Sequence, residues 1–153
     1  MAFEVLLSDK SKKPEHQAEA ANVSFADLGS FDGIKDYIME CPDAKLTMNS
    51  KLFLKDLLNL TGMEMSFGYM EPDTVGPFSH KHKLNEEVYV VLNGNGIMTV
   101  DGKDYPLKEG SVIRVDPKGV RKLSSGDKGL TYICIQTKRN SLEGYTMTDG
   151  EIL

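Results

Sequence analysis

The sequence predicts an all-β fold, a barrel or sandwich of short antiparallel strands. From about Lys51 onward the apolar residues recur with a period of two. Turn signals built on Gly, Asn, Asp and Pro punctuate that run at nearly regular spacing. Strands do not alternate with long helical patterns, which argues against a parallel α/β sheet. The 153 residues suit one domain with a real core. Residues 1–45 read as an N-terminal arm and short helix packed on the rest, and residues 46–153 as the β-barrel domain.

Each element has its own reason. The stretch "SDKSKKPEHQAEA" is polar, charged and without periodicity, and predicts a mobile arm or loop. His16 falls within it as a spectator. "SFDGIKDYIMECP" predicts a short helix capped by Ser30 or Asp32, with Ile34, Tyr37 and Ile38 on one face and Pro42 as its stop. Such a helix is too short to stand alone and must dock on a neighbour. "KLFLKDLLNLTG" and "MEMSFGYMEPD" read as strands joined around Thr61-Gly62, followed by "EEVYVVL". Asn93-Gly94-Asn95-Gly96 and Asp101-Gly102 each supply the positive backbone angles of tight hairpins. "KDYPLKEG", "SVIRVDPKG", "VRKLSSGDKG" and "LTYICIQTK" complete the strand set, and the tail "SLEGYTMTDGEIL" carries enough apolar residues to pack.

Composition narrows the function. The formal net charge is -5, poorly suited to phosphate backbones or anionic membranes, so neither a nucleic-acid nor a membrane partner is expected. No apolar run approaches the length of a bilayer span, and "MAFEVLLSDKSKK" lacks the basic start of a secretory leader. Cys41 and Cys134 have no paired spacing, which points to a reducing, cytoplasmic setting. Gly-rich phosphate loops and repeats of solenoid length are missing from the sequence.

The chemistry concentrates in "GPFSHKHKLNEEVYVVLNGNG", residues 76–96. In an extended segment His80 and His82 project to the same side. Two neutral imidazoles and a carboxylate suit a divalent transition metal at an open site. Glu86 and Glu87 are the carboxylates on offer; they face opposite ways, so one of them joins. Tyr89 and Val91 alternate onto the Glu87 side as a pocket floor. Tyr132, Cys134 and Gln136 share one face of their strand, and Gln136 or Cys134 can line a pocket. Met63, Met65 and Met70 offer core packing or a pliable apolar wall, while Arg114 and Arg121 read as a solvated rim or as holders of a carboxylate or phosphate ligand.

These residues resemble the cupin family, small double-stranded β-helix (jelly-roll) barrels. The first family motif is H-x-H, three or four residues, Glu, six residues, Gly; it is met by His80, His82, Glu87 and Gly94. That match selects Glu87 over Glu86. The second motif is Gly, about five residues, then P-x-G-x-x-H. Here it runs Gly110, "SVIRVD", Pro117, Gly119, one residue longer than the pattern, with Lys122 where the histidine belongs. Gly76 lies closer to His80 than the family's upstream glycine. The resemblance covers about Lys51 to Lys138.

It implies a cupin-like barrel that binds a small organic ligand, with a divalent metal (Zn, Ni, Fe or Mn) on His80, His82 and Glu87. The ligand pocket would include Tyr89, Val91, Lys122, Gln136 and Met65. Two states follow for Lys122, because an ammonium has no lone pair for a metal. Either Lys122 turns outward beside a three-ligand metal, or it turns inward and pairs with Glu87 in a metal-free, non-catalytic binding module. If the protein is an enzyme, the resemblance implies a metal-dependent isomerase, epimerase or oxygenase; no catalytic residue is identified. A homodimer is the expected assembly, since barrels of this type pair through their sheet edges.

Overall fold

The structure is a computed structural model, which describes residues 4–7 and 15–153, with side chains from residue 20. The strands are β1 (Glu4–Leu7), β2 (Glu15–Ala20), β3 (Val23–Asp27), β4 (Tyr37–Cys41), β5 (Leu46–Asn49), β6 (Lys51–Phe53), β7 (Glu64–Met70), β8 (Asn85–Val100), β9 (Lys103–Lys108), β10 (Val112–Val115) and β11 (Arg121–Lys138). Two 3-10 turns, Phe31–Asp36 and Pro42–Ala44, and two single-turn helices, α1 (Lys55–Leu58) and α2 (Thr146–Asp149), complete the described elements.

Two long strands organise the barrel. β8 and β11 pair antiparallel along most of their length. The first half of β8 also pairs β10, while its second half pairs β9. The second half of β11 pairs β7, which in turn pairs β6. The first half of β11 is bridged by the segment before β8, through Val75 to Ser124 and His80 to Arg121. Each long strand therefore serves both walls of a jelly roll.

The turn expected at Asn93–Gly96 is not a hairpin: β8 runs straight through it. A register shift sets Thr131-Tyr132 opposite Asn93 and Val91, leaving Leu92 as an extra residue. One extra residue flips the face. Glu87, Tyr89 and Val91 are buried before the bulge, Gly96 and Met98 after it. Gly94 has φ +86, and a Cβ there would run into the Gly129 carbonyl. Glycine at this position is set by close approach of backbone and not by a hairpin. Asp101-Gly102, in contrast, turns β8 into β9 with φ of 50 and 80, as the sequence predicts.

The sheet β6-β7-β11-β8 has apolar residues on both faces. Its inner face carries Tyr89, Val91, Met98, Leu130 and Cys134, which with Leu107 of β9 form the barrel core. Its outer face is covered by Ile34, Tyr37 and Met39, packed on Leu52, Leu54 and Phe67.

The N-terminal region departs from expectation in detail. Residues 31–36 form a 3-10 turn without a side-chain cap, and Tyr37 to Cys41 continue as a strand. The alternating burial of Tyr37, Met39 and Cys41 shows that a strand period, not a helical one, operates there. Glu15–Ala20, expected as loop, pairs antiparallel with β3, whereas residues 8–14 of that stretch lie outside the described residues. A second sheet, β1-β4-β5, continues through Leu46–Asn49 before β6 enters the barrel at Lys51. "KDLL", read as strand, is the helical turn α1, closed by Asn59 in the left-handed region. The tail was expected to pack; Leu142, Met147, Ile152 and Leu153 are instead at least 81% exposed.

A candidate metal centre at the barrel mouth

Glu87 is the hub. It sits near the start of β8 on the inward face, with its side chain only 4% exposed. His82 Nε2 lies 2.9 Å from Glu87 Oε1, and His80 Nε2 lies 3.7 Å from Oε2. The Tyr89 hydroxyl donates to Oε2 at 2.7 Å, and the Cys134 thiol donates to Oε1 at 3.5 Å. The ligand atoms of His80, His82 and Glu87 all fall within 4.8 Å of one another.

Local backbone contacts hold the histidines. His80 and Arg121 exchange two backbone hydrogen bonds, at 3.0 and 2.8 Å, and the His82 N–H donates to the Pro117 carbonyl at 2.9 Å. The segment is thereby extended, and both rings turn to the same side. The rings cross nearly perpendicular, with centroids 5.4 Å apart.

Arg121 is the residue that sequence reasoning misplaced. Its side chain is fully buried, not on a solvated rim, with Nε 3.2 Å from Glu87 Oε2. Its Nη1 and Nη2 donate to the carbonyls of Pro117 and Asp116, at 3.4 and 3.2 Å. Lys122 is the next residue on the strand, so its side chain leaves from the other side, opposite Thr99. Among the described residues Lys122 has no ion pair, and the cation paired with Glu87 is Arg121.

The remaining expected pocket residues divide. Tyr89 and Val91 face inward beside Glu87. Gln136 stands opposite Glu87 in register, and its Oε1 accepts from Asn85 Nδ2 at 3.1 Å. Met65 does not reach the pocket: it packs on the outer cluster around Phe67. Ser66 takes the inward position, with its hydroxyl 3.5 Å from the Cys134 carbonyl. Arg114 does lie on the rim, paired with Glu86 and Asp116.

Burial works to raise the Glu87 pKa, but His80 and Tyr89, with the charges of His82 and Arg121, outweigh it and lower the carboxyl to about 2. Burial, with the Glu87 charge next, pushes the Cys134 thiol up to about 12. Tyr89 is likewise held protonated, chiefly by burial. The hub is thus a carboxylate anion beside the protonated Tyr89 hydroxyl, the protonated Cys134 thiol and the Arg121 guanidinium.

Two buried atoms, His82 Nε2 and Arg121 Nε, make no hydrogen bond. Both lie within ion-pair distance of Glu87, yet neither geometry is that of an N–H aimed at oxygen. A buried imidazole nitrogen without a hydrogen bond, beside a second imidazole and an anionic carboxylate, fits a transition metal.

Comparison with known proteins agrees with this architecture. The profile of the cupin domain matches residues 67–136. A crystal structure of a cupin protein from Bacteroides fragilis is 43% identical, with a TM-score of 0.66, and the match covers 67% of this chain and 88% of that one. This chain belongs to the cupin family.

A cupin conserved-barrel protein from Salinispora arenicola shares the fold, with a TM-score of 0.54 at 16% identity, over 65% of this chain and 87% of that one. An uncharacterized protein of Methanocaldococcus jannaschii is 36% identical over 75 residues, 48% of this chain. The match spans 56% of that relative's length. In this cupin the extra residue between Gly110 and Pro117 shifts the second motif. Counted from Pro117 the histidine position is Lys122; counted from Gly110 it is Arg121, the residue that faces Glu87. No helix among the described residues is long and apolar enough to cross a membrane.

Proposed function

We propose that this cupin binds a small organic ligand at a divalent transition metal held by His80, His82 and Glu87. The observation that carries this reading is the convergence of three ligand atoms within 4.8 Å, one of them a buried nitrogen without a hydrogen bond. A bound ion of this class supplies Lewis acidity and positions open to a ligand or water. The chain's own residues do the rest. Tyr89 fixes the orientation of the Glu87 carboxylate through its hydroxyl, and Arg121 sets a buried positive charge beside it. Val91 and Cys134 make a dry floor behind it.

A second reading rests on a specific contact. The guanidinium of Arg121, buried against Glu87, supplies the positive charge that a metal would otherwise bring. In that state the protein is a metal-free binding module. Elemental analysis of protein purified without added metal separates the two. Close to one equivalent of zinc, nickel, iron or manganese supports the first reading. Metal-free protein whose Arg121→Met variant acquires metal supports the second.

Self-association belongs to the same proposal. It is supported by the exposed Leu142, Met147, Ile152 and Leu153 of the tail, and sedimentation velocity tests it.

A further inference from the structure

The two walls of the jelly roll differ on their outer faces. One wall is covered by the N-terminal layer. The other is built from the second half of β8, β9, the first half of β11 and the bridged segment before β8. Cross-strand partners share a face, and faces alternate along a strand. Gly96 and Met98 are buried inward, so Asn95, Ile97 and Thr99 turn outward. Three rows follow from the register. The middle row is Val75, Ser124, Ile97 and Pro106. Val75 is 65% and Ile97 41% exposed, and Pro106 is exposed as well.

Charged rows flank this apolar stripe. On one side stand Lys122, Thr99 and Asp104, with the Thr99 hydroxyl donating to Asp104 at 2.6 Å. On the other stand Asp127, Asn95 and Lys108, with Asn95 Nδ2 donating to Asp127 at 2.9 Å. Among the described residues none of Lys122, Asp104, Asp127 and Lys108 has an ion pair. The order of charge reverses between strands. Crossing the stripe, β11 runs from Lys122 to Asp127, and β9 from Asp104 to Lys108. A two-fold axis laid along the stripe sets each strand over its own copy and each flank over the opposite flank. Lys122 then meets Asp127 of a second copy, Asp104 meets Lys108, and the apolar stripe meets itself.

We infer that the outer face of this second wall is a dimer interface, closed by a second copy of the chain about a two-fold axis along Val75, Ser124, Ile97 and Pro106. The inference rests on the self-association proposed above and gives it a face other than the tail. Two sheets stacked in this way pack at a spacing of about 10 Å, with the side chains of both faces buried between them. The face is narrow beside a standard interface. The dimer therefore dissociates on dilution into the micromolar range.

Sedimentation equilibrium over a dilution series measures the dimer Kd. Lys122→Glu and Asp127→Lys should each raise it by about tenfold or more, because every charge pair occurs twice across the axis. The double variant, with the two charges exchanged, should return to within about threefold of the wild type. A single variant that had merely misfolded would not be rescued in this way. Ile97→Glu sets two like charges face to face and should leave only monomer. Lys35→Glu, on the N-terminal layer, should change nothing. A dimer that survives Ile97→Glu and both single reversals overturns this face. If Met147→Ser with Ile152→Ser dissociates that dimer, self-association stands and belongs to the tail. A double variant no tighter than the singles overturns the axis. A wild type that stays monomeric at millimolar concentration overturns both the face and the self-association.

Discussion

Arg121 Nε lies 3.2 Å from Glu87 Oε2, and both side chains are closed off from solvent. Removing one partner of such a pair strands a buried charge, which costs about 3–5 kcal/mol. Arg121→Met is therefore expected to lower the unfolding free energy by about that much in urea titrations. Lys122→Met, one residue on, should change it by no more than about 0.5 kcal/mol. Equal effects from the two would show that the guanidinium is not committed to Glu87.

Acid should test the same hub. The Glu87 carboxyl is lowered from its ordinary 4.5 to about 2, with burial opposed by His80, Tyr89, His82 and Arg121. A depressed carboxyl stabilises the fold above its unfolded pKa and loses that contribution as pH falls through the folded one. The urea midpoint should drop between pH 4.5 and 2, and Glu87→Gln should make that drop shallower. An unchanged slope in the variant would mean that Glu87 is not held ionised by its neighbours.

The bulge in β8 makes a backbone prediction. Gly94→Ala places a Cβ at φ +86 and into the Gly129 carbonyl, so it should cost more than about 1–3 kcal/mol. Gly33→Ala has open space and no positive φ, and should be neutral or slightly stabilising. Thermal unfolding of both variants checks the contrast.

Cys134 and Cys41 are both free and buried, and burial holds the Cys134 thiol near 12. Neither should react with a disulfide reagent at pH 8 in the native protein, and both should react in urea. Rapid native labelling of Cys134 would show that the pocket floor opens to solvent.

Much of this was legible in the sequence where periodicity and spacing were strong. The His80, His82, Glu87 and Gly94 spacing located three converging side chains, because a strand alternates faces and the barrel sets the strand length. The Asn93–Gly96 turn was misread because positive backbone angles serve hairpins and bulges alike, and only cross-strand pairing with β11 tells them apart. Met65 was assigned to the wrong face for a related reason. "MEMSFGYM" has apolar residues on both faces, since one face meets the barrel core and the other the N-terminal layer. Arg121 lost its place to Lys122 through one extra residue after Gly110. Counting from the upstream glycine as well as from Pro117 would have offered both candidates. Nothing local marks Glu15–Ala20 as a strand; its pairing with β3 supplies what its composition lacks.

His80, His82 and Glu87 are proposed to act as one metal-binding set. Calorimetric titration of nickel into metal-free protein at pH 7.5, with His80→Ala, His82→Ala and Glu87→Gln alongside, tests it most directly. One equivalent should bind to the wild type, and each variant should lose about tenfold or more in affinity. Absence of nickel binding by the wild type, or affinity that survives all three substitutions, would contradict it.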